Sequence, residues 1–423
     1  MAAPCFRRTC LAAATLVAVA AAFAFGTEGL DASLSSDPQG WALSPVIAAS
    51  ADGRLYAAWS AHRNPAQWEF ADIYVKRWTG NGWEGLGGRV GHSIGQTGGV
   101  WTEAYAPSLA AVAGIPYLAW YEGGGYGWGK VGETAISASV FVAHWDGRQW
   151  ALDRSPAMPN GSLNTGPDAS GRTPKLATVN GVLHVAWIES RFVPNLGTHN
   201  VVVVRRLVDG RWMPAGQEFR GAPSDGDGQI IDLAIVDAGG VAYVAWTESA
   251  DRPRRSSVRV ARLDGTQWVP LGRPLNAVTD GAANHLALAA LGKSIHVVWQ
   301  ERPPVGSYQV YGRTWSGSRW SSAAGSLNVD PARGEAGRPA LVADASRLWL
   351  AWTEGAPGQP AGLYVRSLET AGWSSAQGPL NADPAHGAPD GPALADLQGR
   401  LVLIWAEKGP PPATKQIYVR PLK

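Results

Sequence analysis

The sequence predicts an all-β fold, a seven-bladed β-propeller with four-stranded antiparallel blades. Seven short β-like runs end in Trp and recur at intervals of about 50 to 70 residues, a period typical of propellers and other repeat arrays. Six of these runs are followed by a Gly-containing turn that leads into a second Trp. The composition, with 52 Gly, 30 Pro and 21 Trp but only 17% charged residues, suits a turn-rich β protein. The run-ending Trp residues are Trp59, Trp120, Trp187, Trp246, Trp299, Trp352 and Trp405.

Residues 283–328 illustrate one complete repeat. Two short apolar runs, at 286–289 and 294–299, flank a Gly-Lys turn, and the second run ends in the repeated Trp. After a polar loop, Gln309–Trp315 alternates as a third strand, and Trp320 opens a fourth. Four strands joined by hairpins make one propeller blade.

The last repeat lacks the turn that leads into Trp, but such a mark is present near the N-terminus at Trp41. We therefore expect an N-terminal strand at about residues 38–44 to complete the last blade. This closure pairs the two strand edges that an open ring would expose. It also predicts a single domain over residues 27–423.

Residues 1–26 have the pattern of a signal peptide, with Arg7 and Arg8 before an apolar run at 11–25 and then small residues. We expect export to the periplasm or the extracellular space. The pair of arginines leaves open whether the general secretory or the twin-arginine route is used. No later stretch is apolar enough to span a bilayer, so we expect no membrane insertion after signal removal.

Both cysteines, Cys5 and Cys10, lie in the predicted signal. The mature chain therefore has no disulfide, cysteine metal site or cysteine nucleophile. Removing the two signal arginines brings the formal net charge from +2 to zero, which gives no electrostatic reason to expect nucleic acid as a partner. The histidines show no metal-ligand spacing, so we expect neither metal nor cofactor, and we expect a monomer.

In six of the seven repeats, Glu stands two residues after the repeated Trp. Because a feature shared by nearly every blade usually serves the blade, we expect these carboxylates to pair with Arg or with backbone amides where blades meet. The alternative is one saccharide pocket per blade, which would make a multivalent lectin. The six residues are Glu122, Glu189, Glu248, Glu301, Glu354 and Glu407.

Insertions that break the repeat are concentrated around the first two blades, and the usual propeller path places them on one face. They hold the aromatic residues that do not belong to the repeat, which are suited to stacking on a sugar or a peptide. We predict a ligand-binding patch there, and the alternative is a lid that packs these rings over the channel. The predicted ligand-binding residues are Trp68, Trp101, Tyr105, Tyr126 and Trp128.

The Asp-Gly turns that lead into Trp, such as DGTQW at Asp264 to Trp268, resemble the Asp-box (BNR-type) repeats of sialidase-like propellers over nearly the whole mature chain. The chain also looks like the large class of exported bacterial repeat propellers. The resemblance implies a propeller and, for a sialidase, an arginine triad, a Tyr nucleophile supported by Glu, and a Phe-Arg-Ile-Pro stretch. This sequence contains no such stretch, and its motifs assign the other roles to no particular residue.

Three functions follow from these features. The first is a secreted, non-enzymatic propeller that binds a glycan or an extracytoplasmic protein through the loops of one face. The second is a glycoside hydrolase or lyase, for which Glu103 and Glu122 are the candidate catalytic pair, since a hydrolase needs two carboxylates about 5–9.5 Å apart. The third is a structural scaffold in an envelope complex.

Overall fold

The computed structural model describes most of the chain after the predicted signal. Within this part, the regular secondary structure consists of β-strands. No helix among the described residues is long and apolar enough to cross a membrane. The described residues are 30–35, 40–62, 71–91, 103–123, 138–193, 197–220, 229–249, 255–323, 325–408 and 414–422.

The strands of the first half of the chain are β1 (Ala32–Ser33), β2 (Trp41–Ala49), β3 (Leu55–His62), β4 (Asp72–Trp78), β5 (Trp83–Val90), β6 (Glu103–Val112), β7 (Ile115–Gly123), β8 (Ser139–Trp145), β9 (Trp150–Leu152), β10 (Ser170–Val179), β11 (Val182–Val193), β12 (Gly197–Val208), β13 (Arg211–Pro214) and β14 (Phe219–Arg220). Within each unit of this half, strands that follow one another in sequence pair antiparallel, whereas β14 pairs with β12, and β1 pairs with the last strand of the chain, Lys415–Pro421.

The second half repeats the same pattern. Its strands are β15 (Gln229–Ala238), β16 (Val241–Ser249), β17 (Ser256–Asp264), β18 (Gln267–Pro270), β19 (Ala282–Leu291), β20 (Ser294–Arg302), β21 (Gln309–Trp315), β22 (Glu335–Ala343), β23 (Leu348–Gly355), β24 (Gly362–Glu369), β25 (Gly372–Trp373), β26 (Ala388–Leu397), β27 (Arg400–Lys408) and β28 (Lys415–Pro421).

These strands group into antiparallel units, and the first strands of successive units form a closed ring in the order β2, β6, β10, β15, β19, β22, β26 and back to β2. Single parallel pairs, Ser256 with Ala282 and Trp41 with Lys415, join neighbouring units into larger sheets, so that the described strands form five hydrogen-bonded sheets. The all-β prediction is therefore confirmed. The closed order of first strands supports a count of seven blades, which stays a prediction.

The repeated Trp residues lie in the second strand of each unit, and five of them have 0% of their surface exposed. Each of the six following Glu side chains accepts a hydrogen bond from the indole N–H of its own Trp, with N···O distances of 2.6 to 3.0 Å. Since all six carboxylates are buried as well, this bond keeps a charge and a large polar ring together in the core.

Some of these carboxylates also accept hydrogen bonds from the link, the segment that connects the preceding unit to the first strand of their own unit. Glu354, which accepts from Trp352, receives the backbone N–H groups of Val329 and Asp330 at 2.7 Å each. This link passes so close that a Cβ on Gly334 would lie 2.1 Å from the Glu354 carboxylate. The backbone amides expected as partners of the repeated Glu are confirmed here, and Glu301 and Glu407 bind their links in the same way.

Arginines of the third strands have a different role from the one expected. Arg366 and Arg420 lie over the faces of Trp352 and Trp405, each 5.7 Å from the ring centroid, and both donate to backbone carbonyls of the link. The cation–π contact explains the placement, because the guanidinium covers the ring whose N–H is already used by Glu. Two of the repeated carboxylates do pair with arginines at other positions: Glu248 with Arg259 of its own third strand, and Glu189 with Arg191 of its own second strand.

An N-terminal strand does complete the last unit, but the position expected for it was wrong. The pairing strand is β1, where Ala32 faces Val419 of β28 and the N–H of Leu34 donates to Ile417 O at 2.7 Å. Trp41 instead begins β2, the first strand of the first unit, where it pairs with His62 and makes a single parallel pair with Lys415 of β28. Of the segment 38–44, the part from Trp41 onward therefore belongs to an inner strand, and residues 38 and 39 lie outside the described residues.

We predict that Glu354→Gln lowers the free energy of unfolding by about 2–3 kcal/mol. The amide retains one acceptor oxygen and presents its NH₂ to a backbone N–H, so one buried donor loses its partner. Chemical denaturation measures the difference. The control is Glu369→Gln, since Glu369 is 52% exposed and paired with Arg347, and its change should stay within about 0.5 kcal/mol. Equal effects of the two substitutions would contradict the role assigned to the buried carboxylate.

We predict that Leu34→Ala destabilises the protein by about 2–5 kcal/mol. Leu34 is 1% exposed and packs in the core between the first and last units, so its truncation leaves a cavity at the closure. Val305→Ala, at a side chain that is 90% exposed, should change stability by less than about 0.5 kcal/mol. A Leu34 variant that melts with the wild type would show that closure does not depend on this strand.

Candidate functional site

Most of the predicted aromatic patch falls outside the part of the chain that the structure describes. Trp68, Trp101, Tyr126 and Trp128 are in this group, and their role in binding stays a prediction. Tyr105, the remaining member, lies in β6 together with Glu103, and Glu122 lies in β7.

Tyr105 stands in a small aromatic cluster at the loop end of the first two units. Its ring centroid is 6.3 Å from that of His62 and 5.9 Å from that of Tyr121. Its hydroxyl donates to the buried carboxylate of Glu103. The result is a hydrogen-bonded tyrosine and carboxylate beside other aromatic rings, near the ends of β3, β6 and β7.

Glu103 and Glu122 do not form a pair that could flank a sugar ring. Ala104 faces Glu122 across the β6–β7 ladder, and successive residues of a strand point to opposite faces. Glu103 therefore points away from the face that holds Glu122. Glu122 is moreover bound by the Trp120 indole as one of the repeated carboxylates, at 2.9 Å, and its role is structural.

The first strand of every unit has an irregularity in its pairing at the same place, near its loop end. A bulge of this kind bends the strand and redirects side chains, and it recurs at the same level in the ring of first strands, where we expect the central channel of a propeller. Several non-glycine residues at or near it adopt left-handed backbone angles, which are uncommon and concentrate at functional sites. They are Ser44, Ala106, Thr173, His285 and Arg338, with φ of 52°, 48°, 55°, 37° and 47°.

Charged residues gather at these bulges on five successive first strands, β10, β15, β19, β22 and β26. We call the group the channel cluster. With His neutral it carries three cations and two carboxylates, and its formal charge is therefore +1. Its members are Arg172, Lys175, Asp232, His285, Arg338 and Asp390.

Asp390 links two units within the cluster. Its carboxylate is 2.9 Å from Arg338 Nε and 2.6 Å from Lys415 Nζ. Burial alone would raise the pKa of Asp390, but the charges of Arg338 and Lys415 outweigh it and hold the pKa below its ordinary value. Asp390 is therefore a carboxylate at neutral pH and fixes the orientation of Arg338.

Arg172 and Asp232 are also held in place. Arg172 donates to Ser190 Oγ at 2.9 Å and to Ile230 O at 2.8 Å, and Asp232 accepts the N–H groups of Leu233 and Leu286 at 2.9 and 3.2 Å. Burial lowers the pKa of Arg172. The guanidinium is thus partly desolvated, a state in which it gains more from an anionic ligand than a fully hydrated one does.

His285 lies among the charges of the cluster. Burial and the charges of Arg338 and Lys175 lower its pKa, and the carboxylates of Asp232 and Asp390 oppose that shift only in part. The imidazole is therefore neutral at pH 7 and can both donate and accept a hydrogen bond.

The channel cluster and the Tyr105 group together offer fixed guanidinium groups, a neutral imidazole, carboxylates and aromatic rings at the bulged ends of the first strands. Such a combination suits a polyhydroxylated or anionic ligand. Among the described residues, no group of three or more His, Cys, Asp or Glu could hold a metal ion.

The sequence did not reveal this cluster, although a signal was present. In several units the residue at the bulge is followed by Pro, as at Thr173–Pro174 and Arg338–Pro339. Charged residues lie at or beside this position, whereas the rest of the first strand consists mostly of small and apolar residues. Only the ring of first strands shows that these dispersed positions meet.

No protein-family model matches the sequence, and no curated protein matches it. Solved structures do show similarity. The chain resembles the polysaccharide lyase Uly1 at 11% identity with a TM-score of 0.55, over 89% of this chain and 89% of that chain. It resembles the leech intramolecular trans-sialidase at 11% identity with a TM-score of 0.47, over 94% and 69%.

An α-L-arabinanase of Penicillium chrysogenum is similar at 15% identity with a TM-score of 0.46, over 92% of this chain and 97% of that one. At such identities a likeness shows the fold alone. Together with the closed ring of antiparallel units, the similarity to Uly1 shows that this chain is an all-β propeller.

Proposed function

We propose that this protein is an exported, non-enzymatic propeller of sialidase-like architecture that binds a glycan over the loop end of its central channel. The observation that carries the proposal is the convergence of His285, Arg338 and Asp390, which come from the first strands of three different units. A packed propeller does not need charges at this point, because its inner strands are already held by their own ladders and by the Trp–Glu bonds.

The aromatic side chains beside the channel support a saccharide as the ligand. The side chains of Tyr105 and Tyr121 lie against each other near the loop ends of β6 and β7. Sugars stack on such aromatic faces, and the sugar hydroxyls form hydrogen bonds with fixed polar groups. Trp68, Trp101, Tyr126 and Trp128 are proposed as further contacts. Several proteins of similar fold carry names that refer to saccharides, so a glycan is the first ligand class to test.

Export is part of the same proposal, since it rests on the signal pattern of residues 1–26. An extracytoplasmic protein is the other partner that would use this face, and the experiment below separates the two.

We predict that the mature protein binds saccharides on a glycan array and that Arg338→Gln weakens binding to the best ligand by about ten-fold or more. Arg262→Gln is the matched control, because Arg262 is also a half-exposed arginine paired with one Asp but lies in β17 near the opposite end. Calorimetry on both variants measures the difference. Equal affinities would exclude the channel cluster as the site, and an array without hits would favour a protein partner.

A second candidate function is a glycoside hydrolase or lyase, favoured by the hydrogen bond from Tyr105 to the buried carboxylate of Glu103. A tyrosine supported by a carboxylate can act as a nucleophile or transfer a proton, and the resemblance to sialidases implies such a pair. The candidate pair then becomes Tyr105 with Glu103.

If the protein is an enzyme, we predict that Tyr105→Phe lowers its rate of polysaccharide cleavage by roughly 10²-fold or more while ligand binding persists. Tyr364→Phe, at a half-buried tyrosine packed against Trp352, should leave the rate unchanged. Reducing-end release and absorbance of unsaturated products distinguish hydrolysis from elimination. A Tyr105→Phe protein with full activity would remove this residue from the chemistry, and inactivity of the wild type on all substrates would favour the binding function.

A further inference from the structure

A cavity lies between the unit of β15–β18 and the unit that begins with β19. Its volume is about 820 Å³, which is in the range of ligand sites in proteins. None of the residues assigned above to the channel cluster or to the Tyr105 group lines it. The lining residues used below are Ile231, Arg255, Asp280, Asn284, Arg302 and Tyr308.

This cleft adjoins the channel cluster through the backbone. Ile231 precedes Asp232 in β15, and Asn284 precedes His285 in β19. Successive residues of a strand are about 3.3 Å apart along the backbone, so the lining residues Ile231 and Asn284 are direct neighbours of two members of the channel cluster. A chain-like ligand bound over the channel can continue outward between the two units.

Arg302 gives the cleft its chemical character. Its guanidinium lies 5.5 Å from the ring centroid of Tyr308, a contact that orients it as a planar donor. Within the described part of the chain, Arg302 makes no ion pair. Its donors are therefore available to a carboxylate or sulfate group, which a guanidinium binds with two parallel hydrogen bonds.

The other charges of the cleft do not cancel this preference. Arg255 Nη1 is 2.9 Å from the carboxylate of Asp280, so these two charges neutralise each other and the described lining residues carry a formal charge of +1 from Arg302. Pro303, Pro304 and the Tyr308 ring add rigid apolar surface, which suits a sugar ring. The cleft thus combines one available cation with a stacking wall.

We propose that this cleft is an outer subsite for an acidic sugar residue of a linear polysaccharide whose neighbouring residues lie over the channel cluster. The inference rests on the proposed function, since it extends the same bound glycan into the cleft. It identifies the ligand class as an acidic polysaccharide that is recognised over several residues.

The test compares acidic oligosaccharides of two lengths by calorimetry, with oligogalacturonate and a sulfated galactan as the carboxylate and sulfate probes. We expect the wild type to bind a hexasaccharide at least ten-fold more tightly than a disaccharide. Arg302→Gln should remove about ten-fold of the hexasaccharide affinity and leave the disaccharide affinity unchanged. A neutral hexasaccharide, cellohexaose, should bind weakly to both proteins.

Arg347→Gln is the matched control, because Arg347 also stacks on an aromatic ring, Trp349 at 5.6 Å, but lies outside the cleft. Unchanged hexasaccharide binding by Arg302→Gln, equal losses for both lengths, or equally tight binding of cellohexaose would overturn the outer subsite while leaving binding at the channel intact. If the wild type binds neither length of either charged probe, the outer subsite is overturned. The proposed function is overturned separately if the glycan array also gives no hits.

Discussion

The hydrogen bond from the repeated Trp to the Glu two residues later is the interaction on which the rest of the fold depends. In a β-strand these two side chains point to the same face, so the bond needs no tertiary structure to bring its partners together. The carboxylate then has further lone pairs that must be satisfied because it is buried. It finds donors in the backbone of the link that enters the same unit, as Glu354 does at Val329 and Asp330. One local pair thereby fixes the approach of the preceding unit.

Much of the architecture could be predicted because this bond leaves a regular trace in the sequence. The unit expected at residues 283–328 corresponds to β19, β20, β21 and the bridge at Trp320. The sequence predicts that an N-terminal strand completes the last unit, but it places this strand at the wrong residues. The reason is that Gly40–Trp41 resembles the Gly-containing turn and Trp that open the fourth strand in other units. The actual strand, Ala32–Ser33 with Leu34, is too short to show any periodicity. Its apolar contacts, not a motif, determine where it pairs.

The candidate site was less accessible to sequence reasoning. The long insertions are conspicuous in the sequence, but most of their residues lie outside the described part of the chain. The channel cluster is instead built from single charged residues within regular strands. Arg172, Asp232, His285, Arg338 and Asp390 share no motif, and each would pass alone as a solvated residue at a strand end. Their proximity follows from the closed order of the first strands, which no local pattern encodes. The sequence likewise does not show the register of β6 and β7. Glu103 and Glu122 therefore look like a catalytic pair in the sequence, although this register places their side chains on opposite faces.

The pairing of β1 with β28 also has a consequence for which surfaces are available to evolve. In a linear array of repeats, the two end units expose a flank that must be polar, and such caps are required for solubility. Here the first and last units cover each other, with Leu30 and Leu34 buried in their shared core. The surfaces by which the first and last units face each other are thus buried, and substitutions on them are constrained by packing. The ends of the strands and the outer rim are left as the places where sequence can change freely, so new binding preferences can arise there without altering the ring.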